Sequence, residues 1–194
     1  GEVARLGVDL RPDHRVQDVA PTADGFRIET SQGPWTSRLL VLATGGLALP
    51  KTGSDGAGYQ FAVRLGHTLV PTTPALVPLV VDAAAPLQFH AHVTGVAHPV
   101  RLSLRSDHAT IRRTDGSLLW THFGISGPAA LDASRHWLRA RLDGIPATLT
   151  ASLLPADRFE SLEARWLEMA TRQPRATVAR ALGTMLPQSV AEAA

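Results

Sequence analysis

Hydrophobic and polar positions alternate through the first forty residues in the manner of short strands. Val8 and Leu10 alternate with polar neighbours, and Val16 and Val19 form a second short run. Ala23-Asp24-Gly25 has the composition of a tight turn, since glycine tolerates positive φ. Phe26, Ile28 and Thr30 then alternate with Arg27 and Glu29, as in a strand with one wet face. A turn at Gln32-Gly33 leads through Trp35 to Leu39-Leu40-Val41-Leu42-Ala43. That run is apolar on both faces and predicts a buried parallel strand. It ends at Thr44-Gly45-Gly46. A helix is expected from about Asp55, burying Ala62 and Leu65 and stopping at Gly66, followed by a short strand over 67–70.

Beyond Pro71 the texture changes. Pro74, Pro78 and Pro86 interrupt apolar segments, and short alternating strands follow: Val100, Leu102 and Leu104, then Ala109, Ile111 and Arg113. Thr114-Asp115-Gly116 reads as a turn into Leu118-Leu119-Trp120. Strands at this spacing predict a small β-barrel or sandwich. Pro128 marks a helix start, with Ser126 or Gly127 as cap, for a helix running to Leu138. A strand over 148–154 precedes a helical tail. There Phe159, Leu162, Trp166 and Met169, and then Val178, Leu182 and Met185, follow the helical period.

Composition narrows the function classes. The chain has 194 residues, 44% of them hydrophobic, enough for packed cores. Its pI of 9.9 accompanies a net charge of only +2. Eighteen of the nineteen basic residues are arginine, Lys51 being the exception, so a small cationic excess persists to high pH. Arg101, Arg105, Arg112 and Arg113 are read as solvated strand faces, and no nucleic-acid partner is expected. Without cysteine there are no disulfides, thiolate nucleophiles or Cys-based metal sites, which fits a cytoplasmic protein. No apolar run reaches the roughly 20 residues that span a membrane. The chain opens on Gly1 rather than Met, so an internal piece of a longer protein is expected.

Three segments carry candidate chemistry. The glycines of Ala43-Thr44-Gly45-Gly46 let the backbone approach a flat or charged ligand; a strand-terminating turn is the plain alternative. Lys51-Thr52-Gly53-Ser54-Asp55-Gly56-Ala57-Gly58-Tyr59 places free N–H donors and a cation before a helix, as for a phosphate, or is simply a capped helix start. Thr121 to Pro128 presents His122 and Ser126, but without the G-x-S-x-G elbow of a serine hydrolase, and a structural loop is preferred. His90 and His92 share a face only if they lie on a strand, and no third ligand is at hand, so no metal site is expected.

Taken in order, residues 40–46, Pro50 to Ser54 with Gly56, Gly58 and Tyr59, residues 74–79, and Thr121 to Pro128 resemble the BaiN/YhiN-like family of NAD(P)/FAD-dependent oxidoreductases. The resemblance implies an α/β plus β architecture: part of a Rossmann-like FAD-binding domain over residues 1–74, joined to an inserted β-barrel and helical domain over 75–194. It implies bacterial origin, FAD as cofactor and NAD(P)H as electron donor. Hydride would pass between NAD(P)H or a small-molecule substrate and the flavin. Val16, Ala43, Thr44, Gly45, Gly46, Lys51, Thr52 and Gly53 are placed along the cofactor, and Lys51 and His122 are the candidates for moving a proton. No G-x-G-x-x-G precedes these motifs, and Ala48 and Leu49 replace a small-polar and aromatic pair. The 194 residues alone are therefore expected to bind FAD poorly and to be inactive. The competing reading is a non-catalytic binding or interaction module with an Arg-rich β surface.

Overall fold

In the computed structural model, residues 1–82, 89–106 and 109–194 are described; Pro86 falls outside them. The chain divides into two compact units, Gly1–Thr72 and Thr73–Ala194.

The first unit opens with a single-turn helix α1 (Glu2–Arg5), where Glu2 and Arg5 form an ion pair. Val8 and Leu10 do not form the expected strand and stay exposed in an irregular segment. Pro12 and Asp13, the latter at φ 61°, break the extended run before it can pair. Instead Arg11 stacks on the Trp35 ring, its guanidinium carbon 5.3 Å from the ring centre. Strands β1 (Val16–Thr22), β2 (Gly25–Thr30) and β3 (Gly33–Ser37) form an antiparallel meander in that order. Its first turn needs glycine at position 25, where a Cβ would collide with the Ser37 carbonyl. Helix α2 (Ala57–Arg64) buries Phe61 fully and Ala62 and Leu65 in part. Arg64 pairs with Asp18 of β1 at 2.8 Å. No strand forms over 67–70, where all four residues are exposed.

The second unit is built on a curled half-barrel sheet. Strand β4 (Leu79–Val80) is followed by a short helix α3 (Phe89–His92) and the long hairpin of β5 (Ala97–Ser106) and β6 (Ala109–Thr121). Next come β7 (Gly124–Ser126), helix α4 (Gly127–Leu142) and β8 (Thr148–Ser152). The spatial order is β4-β7-β6-β5-β8, all antiparallel, so the expected barrel appears as an open sheet with β4 and β8 at its edges.

Thr114-Asp115-Gly116 is not a turn; β6 runs straight through it. Gly116 lies opposite Val100 in mid-strand, and a Cβ there would sit 3.4 Å from the Ala129 amide nitrogen. A Cβ there would thus make only an ordinary contact with α4, and the buried small residues Ala129, Ala130 and Ala133 line the helix face that meets the sheet. Between helix and sheet lie Val100, Leu102, Leu118 and Trp120, with Leu186, Val190 and Ala191 from the chain's last turns. Burying each of the larger aliphatic side chains stabilises by about 1.5–3 kcal/mol. Trp120 donates its indole N–H to Nε2 of buried His98 at 3.0 Å, and His98 Nδ1 lies 3.1 Å from the Pro99 carbonyl.

The tail forms α5 (Phe159–Arg172), α6 (Val178–Leu182) and α7 (Gln188–Ala193). The Thr177 hydroxyl caps α6 by accepting from the Arg180 amide. No helix among the described residues is long and apolar enough to cross a membrane.

Candidate functional site

The segment expected to be a buried parallel strand is irregular and unpaired. Leu39 and Val41 are 86% and 84% exposed, and the three strands of this unit pair without it. A strand apolar on both faces needs neighbours on both sides. Here half-buried Leu40 and 37%-exposed Leu42 share a cavity lining with Pro21, Phe26 and Leu65, while Leu39 and Val41 stay exposed. The expected burial of Leu39–Ala43 is thus corrected, although the segment still delivers the glycine turn to a defined place.

That place is the start of α2, and close packing fixes it. A Cβ on Gly58 would overlap the Thr44 hydroxyl; one on Gly46 would lie 2.5 Å from the Tyr59 hydroxyl; one on Gly45 would lie 3.2 Å from Ser54 Oγ. The Cβ directions of these three glycines are filled by the protein itself. A 3-10 turn over Pro50–Thr52 comes next, stopped by Gly53 at φ 96° and closed by the Leu49–Ser54 bridge. Thr52 Oγ1 donates to the Leu49 carbonyl at 2.9 Å. Lys51 is exposed, with no ion-pair partner among the described residues. Arg15, the neighbour of Val16, pairs with Asp55 and brings the start of β1 to the same corner. Val16, residues 43–46, residues 51–53 and the α2 N-terminus therefore converge.

Of the two readings of the loop before α2, a phosphate cradle or a plain helix start, the local hydrogen bonding favours the second. Asp55 Oδ1 accepts the Ala57 N–H at 3.1 Å, placing a carboxylate where an anion would have to sit. The Arg15 guanidinium, and then that N–H, hold the Asp55 carboxyl below its ordinary 3.8, so it is charged at neutral pH. For FAD, the implied cofactor, the described residues fit one flank only. The open backbone of 39–46 and the Lys51 ammonium can face a nucleotide, whereas the pyrophosphate finds no donor cluster here. Sequence reading missed the roles of Asp55, Arg15 and Tyr59. An Asp just ahead of a glycine-rich helix start was the available signal, because such residues cap helices themselves.

His122 belongs to the second unit, exposed at the β6–β7 tip with its ring 5.0 Å from Phe123. Ser126 pairs across the hairpin with Leu119, and no hydrogen bond joins it to His122. His90 and His92 lie on helix α3 rather than a strand. His90 is buried and His92 exposed, because residues two apart on a helix point different ways. No group of three or more metal-binding side chains occurs among the described residues.

Residues 73–194 match the family described as HI0933-like protein barrel and H2TH domain. Over 189 residues the chain is 28% identical to the 3-dehydro-bile acid delta(4,6)-reductase of Clostridium scindens, covering 97% of this chain and 45% of that protein. It is 31% identical over 192 residues to the ribosomal RNA dihydrouridine synthase of Escherichia coli, covering 98% and 44%. The protein of that name in Haemophilus influenzae is 32% identical over 112 residues, covering 58% and 26%. The chain spans less than half the length of these curated relatives.

Proposed function

The chain belongs to the HI0933-like barrel and H2TH family, and from that premise we propose that it is part of a flavin-dependent oxidoreductase that adds hydrogen across a carbon–carbon double bond conjugated to a carbonyl. The names of the two relatives aligned along the whole chain support this chemistry. A delta(4,6)-reductase of a 3-oxo steroid and a synthase of dihydrouridine each turn such a double bond into a single one. Bound FAD would relay hydride from NAD(P)H to the acceptor.

The observation that supports the reading is the unpaired apolar segment 39–43, which leads into the Thr44-Gly45-Gly46 turn packed against the start of α2. In this reading the segment joins a Rossmann-like parallel sheet supplied by residues outside these 194. Its exposed leucines and valine become buried there, and Ala43 to Gly46 run along the nucleotide. Lys51, on the turn after it, faces the cofactor's anionic portion. Val16 lines the same flank from the start of β1. Alignment over 97–98% of the chain spans both units, which weighs against a free-standing interaction module.

The test is to purify two proteins. The 194-residue chain is expected to carry no stoichiometric flavin, because it lacks a pyrophosphate cradle. The chain produced with its flanking coding sequence is expected to be yellow, bleached anaerobically by NAD(P)H and recoloured by an α,β-unsaturated ketone. A colourless longer protein, or one whose flavin an enone leaves reduced, sinks the proposal.

A further inference from the structure

The four arginines of the β5–β6 hairpin do not form one strip. Arg101 and Arg113 leave the outward face, where Arg101 grips Asp115 through two hydrogen bonds of 2.7 and 2.9 Å. Arg112 is the cross-strand partner of buried Leu104, so it leaves the inward face, on the side of α4.

The register of α4 on β6 shows what it meets there. Gly116 packs on Ala129, and the Thr114 hydroxyl donates to Asp132 at 3.4 Å. Each two-residue strand step of about 6.7 Å matches roughly one helical turn. The next step therefore brings Arg112 to His136. Arg135 pairs with Asp132 and donates its Nε–H to His136 Nε2 at 3.3 Å. Two guanidiniums thus flank one half-buried imidazole. Among the described residues Asp132 is the single carboxylate facing it, and Asp132 is engaged by Arg135. Arg112 has no ion pair among the described residues. His136 is held below its ordinary 6.5 by burial, then by Arg112 and Arg135, against the opposing pull of Asp132.

We propose that Arg112, Arg135 and His136 form an oxyanion site that takes a phosphate group, carried either by a nucleic-acid backbone or by a small phosphorylated molecule. The planar guanidiniums give paired N–H donors suited to phosphate oxygens, and the imidazole adds a third donor when the anion arrives. The site lies wholly within the second unit and does not depend on the flavin reading.

The test uses the 194-residue chain titrated with inorganic phosphate and, separately, with a short oligouridylate, while the His136 ring is followed by NMR. A bound anion stabilises the protonated imidazole, so the His136 titration moves upward in the wild-type chain. Arg112→Ala weakens binding about tenfold or more, as expected for losing one charge-assisted contact. Arg113→Ala, on the same strand but the opposite face, leaves it unchanged. Phosphate binding alone identifies a small phosphorylated ligand, and oligouridylate binding that exceeds it identifies a nucleic-acid backbone. The proposal is overturned if neither ligand moves His136, or if Arg113→Ala weakens binding as much as Arg112→Ala.

Discussion

Gly58 and Thr44 form the tightest pair of the first unit, since the Thr44 hydroxyl occupies the space a Gly58 side chain would need. Gly58→Ala therefore overpacks the contact, and a loss of about 1–3 kcal/mol is expected in urea unfolding. Thr44→Ala removes the hydroxyl and leaves its Cβ 3.1 Å from the added methyl, so the double variant should recover most of the loss. Equal cost of Gly58→Ala in both backgrounds would show that the two residues do not meet. The sequence displayed these glycines plainly but not their reason. Periodicity marks a turn, whereas the three Cβ-sized spaces filled by Thr44, Tyr59 and Ser54 depend on contacts that no local pattern encodes. The same holds for His98 and Trp120, residues 22 apart whose buried hydrogen bond appears only once β5 and β6 pair.

Elements whose partners lie nearby in sequence were legible; those that depend on distant partners were not. Strands β1 and β2 and helix α5 form where their hydrophobic patterns predict them, and α4 starts at its Ser126-Gly127-Pro128 signal. Strand β3 (Gly33–Ser37), by contrast, forms where only a connection was expected. Residues 39–43 carry an equally clear strand pattern, yet the ladder it requires is absent among the described residues. Gly116 misled in the opposite direction, because glycine signals a turn locally while this one lies in mid-strand opposite Val100. For α2, the decisive group is Asp55, which lies just ahead of the Gly56 N-cap, accepts the Ala57 amide and pairs with Arg15 of the segment leading into β1. Its carboxyl is depressed below 3.8, so the contact is complete above that value and is lost as pH falls through the depressed one. The Ala57 amide resonance should follow that acidic transition. In Asp55→Asn the transition should disappear, and if it persists unchanged another carboxylate controls the helix start.

The described chain consists of two units that bury their apolar residues to different degrees. The second encloses a core of Val100, Leu102, Leu118 and Val190 with almost no solvent access. The first exposes Leu39 and Val41 by 86% and 84%, in a segment that belongs to no strand of the described sheets. An exposed apolar segment outside any sheet can pair with another chain, and a lysine on it opposes such pairing. The isolated 194 residues should therefore self-associate with rising concentration, and Val41→Lys should shift sedimentation toward monomer. Its thermal unfolding should stay the same, because a side chain 84% exposed contributes little burial. If residues 39–43 instead occupy the middle of a parallel sheet in a longer protein, the sign reverses: a lysine there is buried and unpaired, and it destabilises the fold and lowers flavin retention. Opposite effects of one substitution in the short and long proteins would locate the sheet that the flavin reading requires. Equal monomer fractions for the wild-type and Val41→Lys chains would remove the edge-pairing argument.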